Sequence, residues 1–316
     1  MKFAGIIAEY DPFHNGHAWQ LAQAKALGAE RVAVAMSCSL VQRGALPLLP
    51  EAVRTRSALT CGADLVFALP APCACAGAEA FARAGVALLA AAGCDGLVFG
   101  AETPDAALLM EAAELLDSGS YRAALKAQLA GGARSFAAAR QTAAAKLASD
   151  ERVAALLDKP NNNLAVEYCR AIRSLAPRME AYPLPRQGAN HGEALHSAHG
   201  QFASASALRK LWAEGGADAV APYVPEAVFP FYQEAYAAGQ YTDFSAAGRC
   251  ELALLRSACR GKAPFADIRG VSEGLEHRLE AAVRTSTTYD ELLDALTTVR
   301  YPRARMRRLA MDAALG

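Results

Sequence analysis

The stretch GIIAEYDPFHNGH, residues 5–17, carries a short apolar run into a turn that sets two histidines three residues apart around a glycine. Ala4 to Ala8, with Ile6 and Ile7 inside it, is brief and partly β-branched, which predicts a buried strand, and Asp11, Pro12, Asn15 and Gly16 are turn formers. From about Gly16 the pattern HAWQLAQAKALGAE turns helical, with Trp19, Leu21, Ala22 and Leu27 available for an inner face and Gly28 placed to end it. His14 and His17 therefore fall at a helix N-terminus. Unpaired backbone N–H groups and the helix dipole favour an anion there, and two imidazoles can aim further donors at the same point. The expected ligand is a phosphate group.

The same alternation continues downstream. RVAVAMS (31–37) predicts a second strand, PEAVRTRSALTCG (50–62) a helix and ADLVFALP (63–70) a third strand; AGAEAFARAGVALLAAAG then predicts a helix and CDGLVFG (94–100) a strand. Nearly continuous apolar strands, each followed by a helix, are what a parallel sheet covered on both faces requires. Right-handed crossovers make this an α/β, Rossmann-like doubly wound parallel sheet, with ligands expected beyond the carboxyl ends of the strands. His14, His17, Ser37 and Gly100 to Glu102 fall at such ends.

Residues 105–157 are alanine-rich and predict three or four helices inserted into the sheet domain. KPNNNLAVEYCRAI (159–172) reads as a proline break, an asparagine-rich turn and a new helix, and RMEAYPLPR (178–186) as a last strand. Residues 187–204 are polar and too long for a simple connection, which marks a functional loop. The expected division is a nucleotide-binding domain over 1–215, with its helical insertion at about 105–157, and a C-terminal helical domain over 216–316 with a basic end.

Composition bounds the partners. Hydrophobic residues make up 53% of the 316, and 32 Lys and Arg balance 32 Asp and Glu, so a nucleic-acid partner would need a local basic patch. The most apolar stretch, AGVALLAAAGC at 84–94, is too short to span a bilayer and lies between Arg83 and Asp95, and the first residues do not read as a secretory leader. Eight cysteines without a C-x-x-C pair read as reduced, mostly buried thiols, and the expected compartment is the cytoplasm.

Two motifs carry chemistry. In His14-Asn15-Gly16-His17 the glycine admits a phosphate to the backbone while both imidazoles can stabilise charge on a phosphoryl group undergoing in-line displacement; the bland alternative is a pair of histidines in a helix-capping turn. In SASALR (204–209), Ser204 or Ser206 can cap a helix and Arg209 can point back toward its N-terminus, although alone this is equally a serine-capped surface helix. Together, H-x-G-H on the first helix and a distal S-x-S-x-L-R resemble the signature pair of the adenylyltransferase superfamily.

The resemblance sharpens. GIIAEYDPFHNGH, SCSLVQRG, GADLVFALP, LVFGAE, KPNNNLAVEY, ASASALRKL, VSEGLEHRL and VRYPRARMRRL, in order from residue 5 to about 309, are similar to the tRNA(Met) cytidine acetate ligase family of H-x-G-H nucleotidyltransferases. That resemblance implies an enzyme that forms acetyl-adenylate from ATP and acetate, releases pyrophosphate, and passes the acetyl group to N4 of the wobble cytidine of elongator tRNA(Met). It implies an ATP site built from Ile7, Ala8, Glu9, Tyr10, Asp11, Pro12, Phe13, His14, Asn15, Gly16, His17, Ala18, Trp19 and Gln20, completed by Gly100, Asn161 and Arg186.

Each of the last three has a chemical reason: a glycine at a strand end, an amide for adenine or ribose, and a permanent cation for phosphate. From chemistry alone Asn162 serves as well as Asn161. His14 and His17 are assigned charge stabilisation, with Arg209 and Arg43 as supporting cations and Ser204 at the second anion cradle. Magnesium is expected on ATP itself, since no dedicated ligand set is apparent. Arg300, Arg303, Arg305, Arg307 and Arg308 in RYPRARMRR could neutralise RNA phosphates, with Tyr301 as a stacking surface and Lys210 and Lys262 extending the patch; a solvated basic helix end is the alternative.

Where the family usually reads Asn-Pro-Phe this chain has Asp11-Pro12-Phe13, and Cys38-Ser39 replaces a glycine-asparagine pair. Asp11 would repel phosphate unless it faces a cation. Members also often continue past the basic motif, so part of the RNA-binding surface is expected to lie beyond it. The rival readings are an adenylyltransferase acting on another small acceptor and a non-catalytic nucleotide- or RNA-binding relative.

Overall fold

The structure, a computed structural model, describes residues 1–133, 135–186, 195–197, 200–261 and 264–316. Its first half alternates as the sequence predicts: β1 (Phe3–Ala8), α1 (Asn15–Ala26), β2 (Arg31–Ser37), α2 (Glu51–Thr60), β3 (Leu65–Leu69), α3 (Ala71–Ala74), α4 (Ala78–Ala91) and β4 (Gly96–Ala101). Four helices follow, α5 (Ala106–Asp117), α6 (Gly119–Ala130), α7 (Phe136–Ala145) and α8 (Glu151–Leu156), then α9 (Pro160–Leu175) and β5 (Glu180–Pro185). The strands pair in parallel in the order β3-β2-β1-β4-β5, from Phe3↔Arg31 to Ala8↔Met36 between β1 and β2. The order reverses at β1 and β4, which opens a crevice at their carboxyl ends.

Val32 through Met36 are all fully buried, because helices cover both faces of the sheet. One core joins α4, α5 and α9 through Phe81, Val86, Leu89, Leu108, Val166 and Ile172. The other joins α1 and α2 to the elements after β5. Two glycines set the first contact: a Cβ on Gly85 of α4 would lie 2.5 Å from Ile7 Cδ1, and one on Gly5 of β1 2.8 Å from Leu89 Cδ1. Helix α4 thereby sits directly on the strand that feeds the histidine loop.

After β5 come the short antiparallel pair β6 (Leu195–Ser197) and β7 (Gly200–Phe202), then α10 (Ala205–Gly215), a 3₁₀ turn (Asp218–Tyr223) and α11 (Phe229–Ala237). Leu208, Trp212, Val220, Val224, Val228 and Tyr232 from this stretch pack into the second sheet core. A third core holds α12 (Phe244–Ala258), α13 (Leu275–Thr285), α14 (Tyr289–Leu296) and α15 (Arg303–Leu315) together through Leu255, Leu279, Leu292, Leu296, Met306 and Leu309. Helix α15 is docked against the 38–50 loop, where Gly44 at φ +77 lies so close that a Cβ would meet the Arg308 backbone nitrogen at 2.6 Å.

Several expectations need correction. In α1 the core uses Leu21 and Ala24; Ala22 is exposed and Leu27 is 43% exposed, because it caps the helix beyond its packed stripe. The asparagines after Pro160 are not in a turn: Pro160 opens α9, since a missing N–H costs nothing at a first helical position, and the three asparagines form its first turn. β5 is followed by a further strand pair, and α3 is an extra single turn after Pro70. Of the expected functional loop at 187–204, residues 187–194 and 198–199 lie outside the described residues, as does Lys262.

Candidate active site

His14 is the N-cap of α1, and its Nδ1 accepts from Gly16 N at 3.0 Å; His17, at the third position, closes the reciprocal bond by accepting from His14 N through Nδ1 at 3.3 Å. This is a capping box with two imidazoles in place of the usual hydroxyl and carboxylate. A neutral ring whose Nδ1 accepts must carry its proton on Nε2, so both rings keep an Nε2–H donor. They stack 3.8 Å apart at 24°, and Tyr10 and Phe13 brace His17 at 4.8 and 5.6 Å. Burial, then Arg186 and Arg209, lowers the His14 pKa to about 3. His17 is lowered well below its usual value by burial, His14 and Arg186. Both rings are therefore neutral donors at pH 7, and the charge of the site comes from arginines.

Between β1 and α1 the chain turns through Tyr10, a non-glycine residue at φ +49 whose side chain is buried. Asp11, 1% exposed, is surrounded by donors. Its Oδ1 accepts from Leu48 N at 2.5 Å, Oδ2 pairs with Arg43, and Arg209 Nη1 lies 2.5 Å from its carbonyl and 3.3 Å from Oδ2. The aspartate that replaces the family's asparagine thus faces two cations. Arg209 does not turn back onto its own helix end; it reaches across to the histidine loop. Burial lowers its pKa to about 10, which leaves it charged.

Glu9, at the end of β1, accepts from Gln42 N at 2.5 Å, and burial pushes its carboxyl up. Beneath it lies Arg54 of α2, fully buried, which donates to the carbonyls of Leu49 at 3.0 Å, Glu9 at 2.7 Å, Ser37 at 2.6 Å, and Cys38. One guanidinium ties the carboxyl ends of β1 and β2 to the loop that carries Arg43. The sequence reading missed this residue, since an arginine in a helix reads as solvent-facing; the signal was its place in the stripe Arg54, Ser57, Ala58.

Across the crevice, Glu102 after β4 holds the first turn of α9: Oε1 accepts from Asn161 Nδ2 at 2.6 Å and Oε2 from Asn162 N at 2.6 Å. Asn162 is buried, and its side chain is committed to Thr103 through bonds of 2.9 and 3.1 Å. Asn161 is half-buried and its Oδ1 accepts from Arg186 Nη1, so Asn161 is the amide that faces the arginine. A Cβ on exposed Gly100 would lie 3.4 Å from Arg186 Cγ.

The remaining expected residues divide. Ile7 packs into one sheet core, Ala8, Ala18 and Trp19 against the other, and Gln20 Nε2 bonds Val98 O at 3.2 Å, which are scaffold contacts. Pro12 and Phe13 are buried, and Tyr232 Oη donates to Phe13 O at 2.6 Å. Asn15 Nδ2 donates to Pro222 O at 3.3 Å. Ser204, not Ser206, is the cap of α10 and accepts from Ala207 N at 3.3 Å.

At the basic end, Arg300 pairs with Glu273, Arg303 with Asp290 and Asp294, and Arg308 donates to Gln42 O at 3.1 Å. Arg305 lies 5.0 Å over the Tyr301 ring. Tyr301 itself is 9% exposed and bonds Glu273 at 3.0 Å, so it is a core residue and not a free stacking surface. Among the described residues, no group of three or more His, Cys, Asp or Glu could hold a metal, and no helix is long and apolar enough to cross a membrane.

A parallel sheet with an order reversal at β1, and an imidazole pair capping the first helix there, defines a nucleotidyltransferase of the HIGH class; the family model described as HIGH Nucleotidyl Transferase matches residues 1–316. A tRNA(Met) cytidine acetate ligase of Syntrophotalea carbinolica is 36% identical over 98% of this chain and 73% of its own length. One from Listeria monocytogenes is 33% identical over 100% and 80%. Thermotoga maritima TmcAL superposes with a TM-score of 0.90 at 31% identity, over 99% of this chain and 75% of that one; a second form of it, solved with alpha-thio ATP, gives 0.88. The chain belongs to the tRNA(Met) cytidine acetate ligase family.

Proposed function

We propose that the chain is an ATP-dependent ligase that activates acetate as acetyl-adenylate and transfers the acetyl group to N4 of the wobble cytidine of elongator tRNA(Met). The observation that carries this reading is the pair of Nε2–H donors at the N-terminus of α1, with Arg186 and Arg209 close enough to depress the His14 pKa. A triphosphate held there meets neutral imidazole donors, the positive end of the helix dipole and two guanidiniums.

The chemistry needs no protein nucleophile. An acetate oxygen attacks the α-phosphorus, the bond to the bridging oxygen breaks, and pyrophosphate leaves. The cytidine N4 amine then attacks the acetyl carbonyl, loses a proton, and expels AMP. In this reading His14 and His17 stabilise the developing charge on the α-phosphoryl oxygens, Arg209 and Arg186 hold the pyrophosphate portion, and Asn161 and Gly100 receive the nucleoside. Magnesium enters with the ATP.

The sheet cores run through Ala235 and the third core begins at Leu252, which supports moving the division between a nucleotide-binding unit and a helical RNA-binding unit from the expected residue 215 to near residue 240. Arg307, which has no ion pair among the described residues, contributes to RNA binding directly; Arg300 and Arg303 exchange their acidic partners for phosphate, and Arg305 and Arg308 support the surface. The test is incubation with ATP, acetate and elongator tRNA(Met), followed by mass analysis of the anticodon nucleosides. One acetyl group on the wobble cytidine, dependent on acetate, is expected; acetate-dependent ATP consumption without modified cytidine would favour another acceptor.

A further inference from the structure

Arg43 and Arg209, the two cations that hold Asp11, also line a cavity of about 750 Å³ between α10, α12 and α15. Lys210, Arg249 and Arg307 join them, so among the described residues five cations face it against Glu251 and Asp290. A second cavity of about 430 Å³ adjoins the first and shares Arg209, Phe244 and Ser245 with it. Its chemistry is different. Trp212, Tyr236 and Tyr241 line it; the two tyrosine rings stack 5.3 Å apart at 17° and are 44% and 37% exposed. Trp212 meets both edge-on, at 5.6 and 5.8 Å.

The tyrosine pair is a built platform. Gly216, at φ +70, passes so close beneath the Tyr236 ring that a Cβ there would lie 2.6 Å from Cζ. Trp212 is 3% exposed, and its indole Nε1 is buried without a hydrogen-bond partner among the described residues. Trp212 therefore backs the tyrosine pair from the core side. A small anion would use the cations and leave the rings idle, and an apolar peptide would leave Arg249 and Arg307, which have no ion pair among the described residues, unmatched. A single-stranded nucleic acid uses both, since its backbone needs cations and its bases need flat, sequence-tolerant faces.

We propose that a single-stranded segment of the RNA substrate lies across these two cavities, its phosphates against Lys210, Arg249 and Arg307 and one base stacked on the Tyr236–Tyr241 pair. This rests on the reading of the chain as a tRNA-modifying ligase. It places the RNA where Arg209 is common to the phosphate site and the RNA groove, so an adenylate at the histidines and an amine from the RNA approach the same side chain.

The experiment uses the full chain and elongator tRNA(Met). The variant Tyr236→Ala with Tyr241→Ala is expected to weaken tRNA binding, read by fluorescence anisotropy, by at least about tenfold, the scale of one lost base stack. Tyr236→Phe with Tyr241→Phe should bind as the wild type does, and acetate-dependent ATP–pyrophosphate exchange without RNA should be unchanged in both. If the alanine pair does not fold, Tyr241→Ser alone serves, with a loss of several-fold expected. Wild-type tRNA binding in a folded variant lacking the ring would overturn the groove alone. Absence of acetate-dependent exchange in the wild type would instead overturn the ligase reading on which it rests.

Discussion

The two imidazoles spend Nδ1 on backbone N–H groups, and this single commitment fixes both their tautomer and their role as neutral donors. It also has a signature in acid. An unfolded chain's imidazole protonates near 6.5, whereas folded His14 resists protonation to about 3, mainly through burial and then through Arg186 and Arg209. Between those values the unfolded state binds a proton that the folded state refuses, so stability falls as pH drops below about 6.5 and is indifferent to this group above it. The urea midpoint of the unliganded protein should decrease from pH 7 to pH 5, and His14→Asn, which keeps a capping side chain, should reduce that decrease. An unchanged slope in the variant would show that other groups control the acid limb. Asp11 illustrates the opposite economy of charge: it departs from the family's asparagine, yet its carboxylate is met by Arg43, Arg209 and Leu48 N, so the departure adds a strut.

At the level of elements, β1 feeding α1 is the motif on which the site depends, and Gly85 and Gly5 let α4 press against that strand from below. The 38–50 loop does the same work from the side, clamped by Arg54 within the sheet unit and by Gly44 against α15. Gly44→Ala should cost about 1–3 kcal/mol, because the residue sits at φ +77 and the added carbon would strike backbone, not a yielding side chain. Chemical unfolding with hydrogen exchange checks this; the loss should appear as faster exchange in α15, and unaltered exchange there would contradict the clamp.

Elements of this kind were readable in the sequence where the signal is local. Strand runs, turn residues and the H-x-G-H spacing identify β1, β2, β4 and the histidine cap without any tertiary knowledge. What escaped is non-local: the inner face of α1 excludes Ala22 and Leu27 because of what it packs on, and Tyr301 is consumed by the third core. Arg54 escaped for a related reason. A buried guanidinium is recognisable only once four carbonyls from three segments surround it. Which asparagine faces Arg186 also needed the fold: Thr103 holds the Asn162 side chain, whereas Asn161 meets Glu102 and Arg186.

Over the whole molecule, the crevice at the histidine loop and the cationic and aromatic groove meet at Arg209, almost two hundred residues from the histidines in sequence, which contacts Asp11 and lines both cavities. The helical unit is tied to the sheet unit by Thr242 to Pro47 O at 2.6 Å, Arg308 to Gln42 O at 3.1 Å, and Arg269 to Pro72 O and Cys75 O at 2.5 and 2.7 Å. In the proposed reading, adenylate formation and RNA capture are separable in residues but joined in geometry. The measurement that tests this most directly is acetate-dependent ATP–pyrophosphate exchange in the absence of RNA, for the wild type and His17→Ala. The account expects exchange by the wild type and a loss of at least about a hundredfold in the variant, the scale of one missing transition-state donor. Near-normal exchange by a folded His17→Ala protein would contradict it.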